Sequence, residues 1–288
     1  PRHDSRRSFK SEGSPGGGLS PALCKSPTMG TGAAIHHFLE KSRIAHLLDA
    51  VFAAGLNPKD AVLISGFYRS GTTFLMESLA EAKRRRTVFE PFCHQVPQAL
   101  GLYAREVRIR SPEIFPIVQP LAQTSKYDAF FINTLRGRVQ CEWTRNTRTP
   151  MGWLRRQLLI KSVRANGALC YLKQRFGCQT INIRRHPLGI AASVSRLPRM
   201  RRVLLDEDNL RDILAREVLD NACLRALETC RNDPWKRLGF LIALSVYVPL
   251  LQADQAPQAA PIVVRYEDLA LDYYQTMEHL LFLLPGSS

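Results

Sequence analysis

Ala61-Val62-Leu63-Ile64-Ser65-Gly66-Phe67-Tyr68-Arg69-Ser70-Gly71-Thr72-Thr73 is the stretch on which the fold of this chain turns. Residues 61–65 form a short apolar run with turn residues at its end, the pattern of a strand buried on both faces in a parallel sheet. Residues 72–85 follow with helical character and a basic end, Lys83-Arg84-Arg85-Arg86, which suits a helix C-terminus. Between them lies a loop carrying Gly66 and Gly71. Strand, glycine-bearing loop and helix, in that order, form an arrangement that binds phosphate. The backbone N–H groups at the helix start have no partner within the helix, and the helix dipole favours an anion there.

The same alternation continues in both directions. Thr87-Val88-Phe89 reads as a second strand, closed by Glu90-Pro91. Helices are expected near 98–108 and 116–135, and another over 151–176, stopped by Gly177. Gln179 to Arg184 reads as a third strand, broken at His186-Pro187, with a helix from about Leu188. An amphipathic helix fits 208–231 and another 235–253. Pro261-Ile262-Val263-Val264-Arg265 reads as a fourth strand, and a helix near 272–284 follows. Upstream, 33–54 shows helical spacing and ends at Gly55. Residues 1–32, with five Gly among the first thirty and several Ser and Pro, bury too little to fold and read as a disordered leader. Strands alternating with helices predict an α/β class: a P-loop-like three-layer domain over 33–288, its central, mostly parallel sheet flanked by helices.

Composition narrows the partners. Of 288 residues 45% are hydrophobic, enough for a sizeable core, while 40 Lys and Arg against 25 Asp and Glu give a net charge of +15. Such an excess favours anionic partners: nucleotides, nucleic acid, acidic glycans or membrane surfaces. Aromatic–basic interleaving and nucleic-acid-binding motifs are missing, so no nucleic-acid partner is expected. Seven cysteines, at 24, 93, 141, 170, 178, 223 and 230, are odd in number and lack C-x-x-C spacing. They argue against a disulfide framework or a zinc site and for a reducing, cytoplasmic compartment. Residues 1–28 do not resemble a secretory signal. The apolar stretch from Leu238 to Leu251 is too short to span a bilayer and contains Pro249, so it reads as a buried helix.

The loop itself is close to a Walker A sequence, G-x-x-x-x-G-K-[ST], but Thr72 stands where the lysine belongs. The cation comes three residues earlier, as Arg69, and Thr72 and Thr73 keep two hydroxyls. A kinase or other NTPase, the alternative reading, would lose the cation on its β- and γ-phosphates. Arg69-Ser70-Gly71-Thr72-Thr73 resembles the 5'-phosphosulfate loop of sulfotransferases that use 3'-phosphoadenosine-5'-phosphosulfate (PAPS). The family's second signature, an Arg followed by Asp-Pro or His-Pro with a Ser eight residues after the Arg, is matched by Arg185-His186-Pro187 and Ser193. The resemblance covers roughly 62–282 and is closest to the carbohydrate and bacterial branches. It implies that Arg69, Ser70, Gly71, Thr72 and Thr73 hold the sulfate-bearing phosphate, and that Arg185 and Ser193 hold the 3'-phosphate. Phe74 falls where cytosolic members stack an aromatic on adenine, and packing of its helix into the core is the other reading. Arg184 replaces Arg185 if the register slips by one.

Sulfuryl transfer needs a cation at the leaving phosphate and a base for the acceptor's proton. Arg69 is the candidate cation. Phe89-Glu90-Pro91 is similar to the carbohydrate branch, which implies Glu90 as the base. His94 is the runner-up, because cytosolic members use histidine. No metal is required. The segments 160–166 and 264–269 also resemble recurrent family stretches and read as structural support. The acceptor, a small molecule or a glycan offering a hydroxyl or amine, is not encoded in any motif, and neither is the oligomeric state. The basic glycine-rich C-terminal segment of cytosolic members is not visible, so a shortened C-terminus is expected.

Overall fold

A computed structural model describes residues 56–83, 85–93, 96–99, 117–139, 144, 157–197, 221–230 and 232–284. The expected leader at 1–32, the helix at 33–54, most of 98–108 and the first half of 208–231 lie outside the described residues. Five strands pair in parallel: β1 (Val62–Gly66), β2 (Arg86–Phe89), β3 (Leu158–Lys161), β4 (Gln179–Arg184) and β5 (Ile262–Arg265), in the order β2-β3-β1-β4-β5. Eight described helices accompany them: α1 (Thr72–Ala82), α2 (Asp128–Leu135), α3 (Leu169–Phe176), α4 (Pro187–Ser195), α5 (Asn221–Cys230), α6 (Pro234–Gln255), α7 (Tyr266–Leu271) and α8 (Tyr273–Leu283). The α/β class expected from the sequence is the one found.

Two expectations are corrected. Residues 151–176 do not form one helix, because 158–161 is β3 and, among the described residues of that range, the α-helix is Leu169–Phe176. Leu158-Leu159-Ile160 lacks alternation because both its faces are buried, Leu158 and Ile160 in one core and Leu159 in the other. A continuous apolar run of this length is indistinguishable from a buried helix by periodicity. The helix expected over 116–135 shrinks to α2. Pro120 lies in the turns that precede it and has no N–H to give a helix.

The sheet separates two cores. Val62 and Ile64 of β1, Leu159, Ile181, Ile183 and Val264 pack against Leu75, Met76 and Leu79 of α1 and Met277 and Leu280 of α8. On the opposite face Ala61, Leu63, Val88, Leu158 and Ile160 pack against Phe130 and Phe131 of α2 and Leu169 and Leu172 of α3. Chain direction accounts for the sidedness. From β1 the chain moves towards β2 through α1, and from β3 it moves the other way to β4 through α3. Right-handed crossovers running in opposite directions must use opposite faces.

Among the described residues α6 is the one helix long and apolar enough to cross a membrane by length and composition. Here one of its faces is buried, through Leu238, Ile242, Leu244 and Val248. The buried Gln252 amide donates to Val118 O (3.0 Å) and Gly167 O (2.9 Å), tying its end to the second layer.

Candidate functional site

The C-terminal edge of the sheet gathers the chemistry. At the end of β1 the chain turns tightly through Phe67 to Gly71. Ser70 donates from its backbone N (3.1 Å) and its hydroxyl (2.6 Å) to the carbonyl of Phe67. Arg69 sits at φ 65 and Gly71 at φ 92, both left-handed. A Cβ on Gly66 would lie 2.4 Å from Ile183 O, so the loop can run this close to β4 only without a side chain there. Gly71 is the N-cap of α1 and no side chain caps that helix, which leaves its first N–H groups directed outward. Ser70 and Thr72 are buried, and Arg69 and Thr73 are exposed.

The two sequence motifs meet here. Arg69 Nε donates to Ser193 Oγ at 2.9 Å, bridging 124 residues. Arg185 donates from an η-nitrogen to Arg69 O at 2.9 Å, fixing the carbonyl of the strained residue. Neither arginine pairs with a carboxylate among the described residues, so two fixed cations and an open helix start face one edge. His186 begins α4: its Nδ1 accepts from Leu188 N at 3.3 Å, and Pro187 fills the first helical position. Ser193 is thereby held on the second turn of a capped helix, facing the loop.

The segment 264–269, read as support from sequence, joins the site. The Arg185 guanidinium lies over the Tyr266 ring, 4.3 Å from its centroid. The same ring occupies the space beside Gly71, where a Cβ would come within 2.3 Å of it. Glu267 accepts from His186 N at 2.9 Å. Phe74 is 46% exposed and packs on Tyr273 with 5.8 Å between ring centroids, so its helix position faces outward rather than into the core.

Glu90 stands apart from the loop, immediately after β2, with φ 48 and 5% exposure. The segment 160–166 forms a cage around it. Lys161 Nζ makes a short ion pair with Oε1, and the Arg164 guanidinium lies 3.6 Å from Oε2. Ser162 Oγ donates to Oε2 (3.3 Å) and Val163 N to both oxygens (3.3 and 3.2 Å). Arg164 also lies over the Tyr68 ring at 5.4 Å, which connects the cage to the phosphate loop. His94 lies outside the described residues. Among the described residues no group of His, Cys, Asp and Glu could hold a metal ion.

Sequence reasoning did not single out Lys161 or Tyr266 as members of the site. The available signal for Lys161 was a cation at the end of an apolar run. A lysine buried to 5% exposure needs a counter-charge, and Glu90 is it. Arg184 is resolved from Arg185 by strand alternation: Arg185 reaches the loop, whereas Arg184 donates from Nε to Asn182 Oδ1 at 2.9 Å.

No family model and no curated protein matches the chain. Among solved structures it is similar to the sulfotransferase domain from the curacin biosynthetic pathway. That likeness has 18% identity, covers 79% of this chain and 74% of that chain, and has a TM-score of 0.44. It is also similar to a sulfotransferase from Alicyclobacillus acidocaldarius, with 18% identity, 78% of this chain and 81% of that chain covered, and a TM-score of 0.39. A functional reading therefore rests on the residues of the site.

Proposed function

We propose that the chain is a sulfotransferase that moves a sulfuryl group from PAPS to a hydroxyl or amine of an acceptor, a small molecule or a glycan. The observation that carries this reading is the Arg69–Ser193 hydrogen bond together with the Arg185–Arg69 carbonyl bond, which unite two motifs into one anion-facing edge. A phosphate at the start of α1 and a second phosphate at Arg185 and Ser193 fit a nucleotide carrying both 5' and 3' anions. Guanidinium groups match phosphate oxygens in geometry as well as charge.

In this reading the acceptor oxygen or nitrogen attacks sulfur, the bond from sulfur to the 5'-phosphate oxygen breaks, and adenosine 3',5'-bisphosphate leaves. Arg69 and the N–H groups of α1 stabilise the charge that develops on the leaving phosphate. Glu90 takes the acceptor's proton. Both its oxygens are engaged in the resting arrangement, so in this reading the ion pair with Lys161 opens for Oε1, which also accepts from Val163 N, to take the proton. His94 is the other candidate for the base. No step calls for a metal.

The test is thermal stabilisation of the protein by adenosine 3',5'-bisphosphate, ATP and DNA. The bisphosphate is expected to stabilise most, and stabilisation by ATP without the bisphosphate would favour a P-loop kinase instead. Arg185→Ala is expected to weaken the bisphosphate about tenfold or more and 5'-AMP far less, because only the former carries a 3'-phosphate. Equal losses would remove Arg185 from this role.

A further inference from the structure

β4 departs from what its place in the sheet demands. It pairs with β1 on one side and β5 on the other, and a central parallel strand is expected to be apolar on both faces. Ile181 and Ile183 meet this on the face that packs against α1 and α8. The other face carries Thr180, Asn182 and Arg184, and Asn182 is 1% exposed. Asn166, in the connection from β3 to α3, is fully buried and meets Asn182 there. Two buried amides are costlier than apolar residues of the same size unless their polar atoms are paired.

The pairing runs in one line. Asn182 Oδ1 accepts from Arg184 Nε at 2.9 Å, and its Nδ2 donates to Asn166 Oδ1 at 3.0 Å. Asn166 Nδ2 donates to Val163 O at 3.2 Å. The N–H of the same Val163 donates to both oxygens of Glu90. Consecutive hydrogen bonds thus run from Arg184, at the end of β4, to the carboxylate that follows β2, although β1 and β3 lie between those strands. Further along, Gly167 O accepts from Val118 N (2.9 Å) and Gln252 Nε2 (2.9 Å), which fixes the 162–166 turn from the helical layer. The amide pair ties the same turn to β4.

We infer, on the sulfotransferase reading proposed above, that Asn166 and Asn182 are positioning residues for the transfer: they hold the 162–166 turn, and through Val163 the Glu90 carboxylate, at a fixed offset from the strand end that carries Arg185. Neither amide reaches the reacting atoms. Base and donor keep their spacing because both are referenced to β4. Proton transfer needs the carboxylate within hydrogen-bond reach of the attacking atom, and a misplacement on the order of 1 Å can slow a reaction about a hundredfold. Donor binding draws on Arg69, Arg185, Ser193 and the start of α1, to which neither amide hydrogen-bonds. Loss of the relay therefore slows transfer without weakening the donor.

Transfer to water tests this with the full chain. The water oxygen attacks sulfur, the bond from sulfur to the 5'-phosphate oxygen breaks, Glu90 takes the proton, and sulfate and adenosine 3',5'-bisphosphate leave. Release of inorganic sulfate from radiolabelled PAPS gives kcat and KM. Asn166→Leu combined with Asn182→Leu removes both amides and orphans neither, so the double variant is expected to be no less stable to urea than either single variant. Its kcat is expected to fall about tenfold or more, with KM for PAPS and bisphosphate affinity within about twofold. Asn182→Asp keeps the bond from Arg184 but cannot donate to Asn166, so it cuts the relay at one link and serves if the double variant does not fold. The same fall in kcat is expected. In a Glu90→Gln background the two leucine changes are expected to lower kcat less than about twofold further, because they act through that carboxylate. A folded variant with parental kcat overturns the inference and leaves the sulfotransferase reading standing. A raised PAPS KM at unchanged kcat, or a further tenfold loss in the Glu90→Gln background, also overturns it. A parent chain that binds no bisphosphate sinks the sulfotransferase reading, and this role with it.

Discussion

Gly71 has little freedom to change. Its φ of 92 is costly for any residue with a Cβ, and that atom would meet the Tyr266 ring at 2.3 Å. Gly71→Ala is therefore expected to lower bisphosphate affinity more than tenfold, because loop or ring must shift. Adding Tyr266→Ala relieves the clash but not the φ penalty, so calorimetric titration should show partial recovery in the double variant. Glu90 poses a different problem, since its charge is shared by Lys161 and Arg164. Glu90→Gln is expected to lower turnover while leaving bisphosphate affinity within about twofold. Unchanged turnover would hand the proton to His94 or another group. The change also removes the carboxylate that pairs with the buried Lys161, for which the destabilisation is about 3–5 kcal/mol. Denaturant titration should find Glu90→Gln combined with Lys161→Met more stable than Glu90→Gln alone. The family resemblance pointed to Arg69, Arg185, Ser193 and Glu90, because the motifs that carry it are local runs of sequence at turns and strand ends. It did not point to Lys161 and Tyr266, which matter only through partners distant in sequence: Glu90 for Lys161, and Arg185 and Gly71 for Tyr266.

At the level of elements, the helices are defined by their ends. α6 begins at Asp233, whose carboxylate accepts from Trp235 N (2.9 Å) and Lys236 N (3.2 Å), with Pro234 in the first position. Asp233→Ala is expected to cost about 1 kcal/mol without altering bisphosphate affinity, as read by urea denaturation beside ligand titration. A large loss of affinity would show that the start of α6 shapes the donor site. α4 is capped by a histidine, and its position is shared with Glu267 at the start of α7, so β4 and β5 are joined at the edge where the ligand is proposed to sit. β1, β2, β4 and β5 were legible because each is a short apolar run with a Gly, Pro or charged residue nearby. β3 was not. Leu158-Leu159-Ile160 is buried from both sides and carries neither alternation nor a Gly or Pro, and the charge of Lys161 ends a helix as readily as a strand, so pairing with β1 and β2 decides that it is extended.

The molecule as a whole is expected to lose stability in alkali. Burial raises Cys170 from its ordinary 9.0 to about 11 and Cys178 to about 12. Above pH 9 the unfolded chain releases these protons while the folded chain keeps them. The unfolded state then binds fewer protons, and stability falls as pH rises. Each thiol contributes up to about 1.4 kcal/mol per pH unit between 9 and its folded value. Urea titrations at pH 8, 9.5 and 10.5 should show the decline, and Cys178→Ala should flatten it. A flat profile in the parent would mean that neither thiol is shielded as described. The bond from Arg69 to Ser193 and the contact between Gly71 and Tyr266 have a consequence for synthesis. Central strand β1 leaves the ribosome long before β4, its partner on one side, and β5, which pairs with β4, are made. The anion-facing edge cannot exist in a nascent chain that lacks Tyr266, and closing such distant contacts makes folding slow. A nucleotide bound at this edge, as proposed, would recognise only chains in which β5 and Tyr266 have docked, and would withdraw those chains from the pool still open to proteolysis.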